Sequence, residues 1–150
     1  LGLSARVPEI NAIVAYYNFA HLDELVQRRQ ELIRQYRAGL RGLPGVTFQE
    51  IPANRQSSVY YFSLFIDAEP ARHSRDQVYE HLQDQGIQAK KYFYPALHHQ
   101  EVYRRLGIAA RTPLPVTEQA AAAGLALPLY SHMEEQKLLR INEIVKLLLQ

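Results

Sequence analysis

Apolar positions along the chain follow two periods, and the longest block belongs to a helix. From Pro8 to about Leu40 nothing interrupts a helical pattern. Pro8 suits a first helical position and Glu9 complements the dipole of the first turn. Gly39, Gly42 and Pro44 end the block. More than thirty residues at 1.5 Å each give roughly 45–50 Å of helix. A domain of this size has a radius of gyration of only about 15 Å, so the helix must extend beyond the domain or bend around it. Its first half, "INAIVAYYNFA" (10–20), is apolar on nearly every face, the pattern of a helix surrounded by protein. Its second half is amphipathic. Leu22, Leu25, Val26, Leu32, Ile33, Tyr36 and Leu40 form the stripe, and the arginines at 28, 29, 34, 37 and 41 fall mostly outside it.

The rest alternates between strand and helix. "VTFQEI" (46–51) and "SVYYFSLFID" (58–67) read as strands joined by a polar loop. "SRDQVYEHLQDQG" opens on a Ser74–Gln77 capping box and closes on Gly86, a bounded helix. "IQAKKYFY" (87–94) is predicted as a third strand and "TEQAAAAG" (117–124) as a short helix capped by Thr117. "LALPLY" is a brief extended piece. The last helix follows a Ser131–Glu134 box, with its stripe at Leu138, Ile141, Val145 and Leu148. This order predicts an α+β fold: a long N-terminal helix over residues 1–44, then a small, mostly antiparallel sheet packed with helices over 45–150.

Composition narrows the classes of function. A chain of 150 residues that is 47% hydrophobic can build one real core. A net charge of +2 with interspersed acids argues against a nucleic-acid partner. There is no cysteine, which excludes disulfides and thiolate chemistry and fits a reducing, cytoplasmic setting. No apolar run approaches the roughly 20 residues a membrane span needs. The sequence starts at Leu1 without Met, as a processed chain or a piece of a longer one does.

The candidate chemistry is concentrated in "KKYFYPALHHQ" (90–100). On a strand, Lys90 and Lys91 point to opposite sides. One of them can serve as a Schiff-base lysine, as a phosphate cation, or as a chain snorkelling past aromatics. His98 and His99, on an extended segment, diverge as well. No HExxH or CxxC accompanies them, so no metal site is expected. His98, after the Tyr-Pro-Ala-Leu turn, suits a pocket rim as a hydrogen-bonding or proton-handling group. No glycine-rich phosphate loop, GxSxG or Rossmann fingerprint is present.

Three stretches together carry a resemblance. "LGLSARVPEINAIVAYYNFAHLDELVQRR" resembles the Gly-x-Asn-x-Arg-Met-Ser-Glu helix start of the DegT/DnrJ/EryC1/StrS sugar aminotransferases. "GIQAKKYFYPALHHQEVYRRLG" resembles their Arg-Lys-Tyr-Phe-x-Pro-x-His segment, and "LPVTEQAAAAGLALPLYSHMEEQKLLRINEIV" their Leu-Pro-Val-[Thr/Ala]-Glu…Leu-Pro-Leu-Tyr tail. The resemblance implies the C-terminal small domain of a fold-type-I pyridoxal phosphate (PLP) enzyme. The large N-terminal domain, with the cofactor lysine, would lie elsewhere, so this part would contribute no catalytic residue and be inactive alone. Residues 1–44 would link to that domain and to the partner of a homodimer. Lys91, Tyr92, Phe93 and His98 would line the substrate side of the cleft, next to Pro95. Ser4, where the family has Asn, and Arg6 would reach the cofactor across the dimer. The implied substrates are a keto-sugar nucleotide and an amino-acid donor such as glutamate. Some relatives use the same fold for dehydration, and a stand-alone binding or assembly module is the alternative of a different class.

Overall fold

The computed structural model describes residues 6–108 and 112–150. The predicted long helix is present as two, α1 (Glu9–Ala20) and α2 (Leu22–Leu40), separated by the single residue His21. The two differ as their patterns do. α2 buries Leu32, Tyr36 and Leu40, whereas α1 buries nothing. Tyr16 and Phe19 of α1 are 79% and 76% exposed.

β1 (Val46–Phe48), β2 (Phe62–Ile66) and β3 (Gly124–Leu127) form one antiparallel sheet in that order. Val46 pairs with Ile66, and Phe62 pairs with Leu127. Both early strands are shorter than predicted. Residues 49–61 run irregularly, with Val59 at a positive φ of 47°. Gly45, at φ 70°, turns the chain into β1. A Cβ there would lie 2.4 Å from the Asp67 carbonyl, so no other residue fits without a shift.

The third strand is not 87–94. That segment meets the sheet at one bridge, Lys90 to Ala126. The strand is instead the start of the "LALPLY" piece. All four residues of β3 are buried, so it shows no alternation and reads as a short apolar run.

α3 (Arg75–Asp84) has the capping box expected of Ser74 and Gln77, with both reciprocal bonds formed. Two other predicted caps do not form. α5 (Pro115–Ala123) starts before Thr117, with Pro115 in its first turn and no side-chain cap. α6 (Glu135–Leu149) is preceded by Glu134, and the Ser131 hydroxyl accepts from Arg29 Nε at 3.1 Å rather than capping a helix. A 3₁₀ turn (Leu97–His99) and the short α4 (Glu101–Arg105) follow the aromatic segment.

The core joins α2, α3 and α6 to one face of the sheet. Leu32, Tyr36 and Leu40 meet Leu64, Leu125, Leu138, Ile141 and Val145. Tyr36 stacks on Phe62 at 4.8 Å and donates to the Pro128 carbonyl at 2.9 Å. Burial raises its phenol pKa. Among the described residues, no helix is long and apolar enough to cross a membrane.

Candidate functional site

The segment 90–100 leaves the sheet at Lys90 and crosses to the N-terminal half of α5. Its two lysines separate as a strand alternation requires, and tertiary contacts give them different roles. Lys91 Nζ lies 2.8 Å from Asp76 Oδ1 and 4.5 Å from the Tyr79 ring centroid, with a quarter of its side chain exposed. Asp76 also accepts from Arg75 Nε at 2.7 Å. The bond from Lys91 chiefly, and that from Arg75, hold its carboxyl below the ordinary range, against partial burial. Arg75 is itself buried. It donates to the Ala121 and Gly124 carbonyls at 3.0 and 2.8 Å, where α5 ends, and its guanidinium sits 4.8 Å from the Tyr94 ring centroid. Lys91 is thus an ion-paired side chain and not a free cation.

Lys90 faces the other way. It lines a cavity of about 730 Å³ together with Arg29, Lys137, Tyr60, Tyr61 and Tyr92. Among the described residues, three cations line this space and no carboxylate does. The aromatic wall is continuous: Tyr61 packs against Tyr60 at 4.5 Å and against Tyr92 at 4.7 Å. The Tyr61 and Tyr92 hydroxyls share a hydrogen bond at 3.4 Å, and holding the Tyr61 proton in that bond is the main cause pushing its phenol up to about 12.

Tyr92 is shared with a second, more apolar cavity of about 630 Å³, lined by Phe93, Pro95, Leu97, Phe65 and Ala121. Phe93 is 73% exposed at its mouth. His98 stands beside it, with Nε2 3.1 Å from Glu118 Oε1 on α5. His99 does not diverge from it as an extended segment would require. Residues 97–99 form a 3₁₀ turn, so the two rings lie 4.1 Å apart and His99 Nε2 is 3.7 Å from the same Glu118 oxygen. The structure therefore brings Tyr92, Phe93 and Pro95 together around one cavity, sets His98 against Glu118 and His99 outside its lining, and turns Lys91 away. Arg6 is exposed ahead of α1, and Ser4 lies outside the described residues.

Sequence reasoning missed Arg29, Arg75, Asp76, Glu118 and Lys137. Glu118 stands within the quoted "LPVTE" motif, so a signal for it existed. Arg75 carried none, because an arginine after a capping serine reads as a solvated first-turn residue.

A small antiparallel sheet backed by helices, with a helical arm at one end and a polar-aromatic segment at the sheet margin, defines the class. It is the C-terminal small domain of fold-type-I PLP aminotransferases. The chain superposes on DesV of Streptomyces venezuelae with a TM-score of 0.84 at 29% identity, covering 97% of this chain and 37% of that one. It superposes on the aminotransferase TlmJ of Streptoalloteichus hindustanus with a TM-score of 0.82 at 26% identity, again over 97% and 37%. Residues 1–146 match the profile of the DegT/DnrJ/EryC1/StrS aminotransferase family, and the chain belongs to that family. Among its relatives, dTDP-4-amino-4,6-dideoxy-D-glucose transaminase of Escherichia coli is 32% identical over 144 residues, 96% of this chain and 38% of that protein. The dTDP-3-amino-3,4,6-trideoxy-alpha-D-glucose transaminase of S. venezuelae is 28% identical over 149 residues, 97% of this chain and 36% of that protein. The chain thus spans well under half the length of these relatives.

Proposed function

We propose that this chain is the substrate-side, C-terminal part of a PLP-dependent aminotransferase that transfers an amino group, from a donor such as glutamate, to a keto-sugar nucleotide. The observation that carries the proposal is the cavity lined by Arg29, Lys90 and Lys137 against a tyrosine wall. A nucleoside diphosphate offers the matching pair, a planar base and paired phosphates, and cations with aromatic faces recognise both. Residues 1–44 serve as the arm to the large domain and to a dimer partner, and 45–150 form the small domain.

The described residues do not build a PLP cradle. Lys91 is committed to Asp76, Lys137 and Lys146 ride on α6, and Lys90 borders a cavity lined by no acidic partner for a pyridine nitrogen. The cofactor would be held chiefly by the large domain, with Ser4 and Arg6 the residues the resemblance assigns to it, and would supply the electron sink. No step through it is assigned to the described residues. Their work is to bind and orient. Lys90 holds the phosphates, although the resemblance placed Lys91 on the substrate side of the cleft. Lys91 acts one step back, since its pairing with Asp76 anchors the segment that presents Tyr92 and Phe93 to the sugar. His98, its ring fixed by Glu118 through Nε2, bonds a sugar hydroxyl or carbonyl whose charge changes during reaction.

Steady-state kinetics of the full-length enzyme at saturating amino donor tests this. A lysine–phosphate contact contributes about 1.5–3 kcal/mol, equally in ground and transition states, so Lys90→Ala should raise KM roughly 10- to 100-fold and leave kcat nearly unchanged. His98→Ala should lower kcat. If Lys91→Ala has the large KM effect and Lys90→Ala has none, the phosphates lie on the Asp76 side and the assignment fails. Loss of turnover with unchanged KM in either lysine variant would make that lysine catalytic.

A further inference from the structure

The His98–His99–Glu118 cluster lies beyond the cavities and the aminotransferase reading gives it only a partial role. Its three ligand atoms all lie within 4.8 Å of one another. The two histidine nitrogens approach a single carboxylate oxygen, at 3.1 and 3.7 Å. Tetrahedral zinc sits about 2.0–2.2 Å from nitrogen and oxygen ligands, which sets ligand–ligand separations of about 3.3–3.6 Å. The two histidine–carboxylate separations straddle that range, and the set as a whole, within 4.8 Å, closes on one ion by rotation of the exposed His99 and Glu118 side chains. The ligands come from two elements, the 3₁₀ turn and the first half of α5, so the turn holds the imidazoles and the helix supplies the carboxylate.

Ligand chemistry selects the ion. Two imidazoles and one carboxylate suit zinc and its first-row neighbours, whereas calcium and magnesium demand oxygen ligands. Three protein ligands leave the fourth position of a tetrahedral ion to water. We infer that His98, His99 and Glu118 form a zinc-class divalent metal site that fastens the 90–100 segment to α5. A metal on His98 Nε2 fixes that ring as the Glu118 hydrogen bond does, so the site is compatible with His98 presenting its other edge to substrate.

Calorimetric titration of the chelator-treated protein with ZnCl₂, with Co²⁺ absorption as a spectroscopic check on geometry, tests the inference. Wild type should bind one equivalent of Zn²⁺ and give the visible bands of tetrahedral Co²⁺. His99→Gln and Glu118→Gln, each verified as folded by circular dichroism, should weaken binding at least about tenfold, or ~1.4 kcal/mol. Zinc should also slow protease cleavage within 95–108 in wild type and not in the variants. Absence of stoichiometric zinc binding in wild type would leave an ordinary His–Glu hydrogen bond and overturn the site. Binding that both substitutions leave unchanged would place the metal on other histidines and overturn it equally. None of these readouts depends on turnover, so a failed metal site and a failed aminotransferase assignment are separable.

Discussion

At the scale of single residues, the sequence told that one of Lys90 and Lys91 would face inward, but not which. The alternation of a strand is local, whereas the choice depends on Asp76, fifteen positions before Lys91 and on another element. The same holds for Arg75, which is buried because the carbonyls at the end of α5 need donors. The Lys91–Asp76–Arg75 cluster makes a pH prediction with a definite sign. The folded-state pKa of Asp76 is depressed, chiefly by Lys91. Its contribution to stability is therefore fully present above the ordinary aspartate range, near pH 4, and is lost as pH falls through the folded value. The Asp76 side chain is half exposed, so the contribution is no more than about 1 kcal/mol. Urea denaturation of wild type and Asp76→Asn across acid to neutral pH should show a stability gap of that order above about pH 4–5, narrowing below it. A gap constant with pH would show that Asp76 acts through packing and not through charge.

At the scale of elements, those with a local signature were legible. Ser74 and Gln77 announce α3 and form both bonds of the box, and the stripe of α6 faces the core. The elements that escaped have no local signature. β3 has every residue buried, which erases alternation, and 87–94 alternates yet pairs only at Lys90 because the chain then turns towards α5. The Ser131–Glu134 pattern was present but a competing donor, Arg29, engages that hydroxyl. The α2–α6 contact holds a further constraint invisible in one dimension. A Cβ at Gly39 would lie 2.2 Å from Asn142 Nδ2 and 2.7 Å from its Cγ. Asn142 is buried, its Nδ2 donates to the Gln35 carbonyl at 3.3 Å, and its Oδ1 has no partner. Gly39→Ala gains about 1 kcal/mol of helix propensity but forces this side chain to move, at about 1–3 kcal/mol for overpacking and about 1 for the lost bond. The expected net is destabilisation of about 1–3 kcal/mol by denaturant midpoint. Adding Asn142→Ala should recover most of it, giving a favourable coupling in the double-mutant cycle. Additive losses would mean that the two helices do not meet at this pair.

At the scale of the whole molecule, the fold contains one unresolved imbalance, and it was already visible in the pattern of residues 10–20. α2 lays its stripe on α6 and the sheet, while α1 leaves Ile10, Ile13, Val14, Tyr16, Tyr17 and Phe19 all more than half exposed. Apolar side chains on successive faces of one helix form a patch too large for a solvated monomer surface, and patches of that kind mark contacts with other protein. At about 25 cal/mol per Å² of apolar surface, covering even 400 Å² favours association by about 10 kcal/mol before the entropy of association is subtracted. The isolated 150-residue chain is therefore expected to self-associate through α1. Light scattering should give a mass of two or more chains. Tyr16→Glu with Phe19→Glu should return it to a monomer without loss of secondary structure, since neither residue contributes to the core. A clean wild-type monomer that binds no apolar dye would show that α1 folds back over its own domain in solution, and the surface assigned to the large domain and the dimer partner would have to be sought elsewhere on the chain.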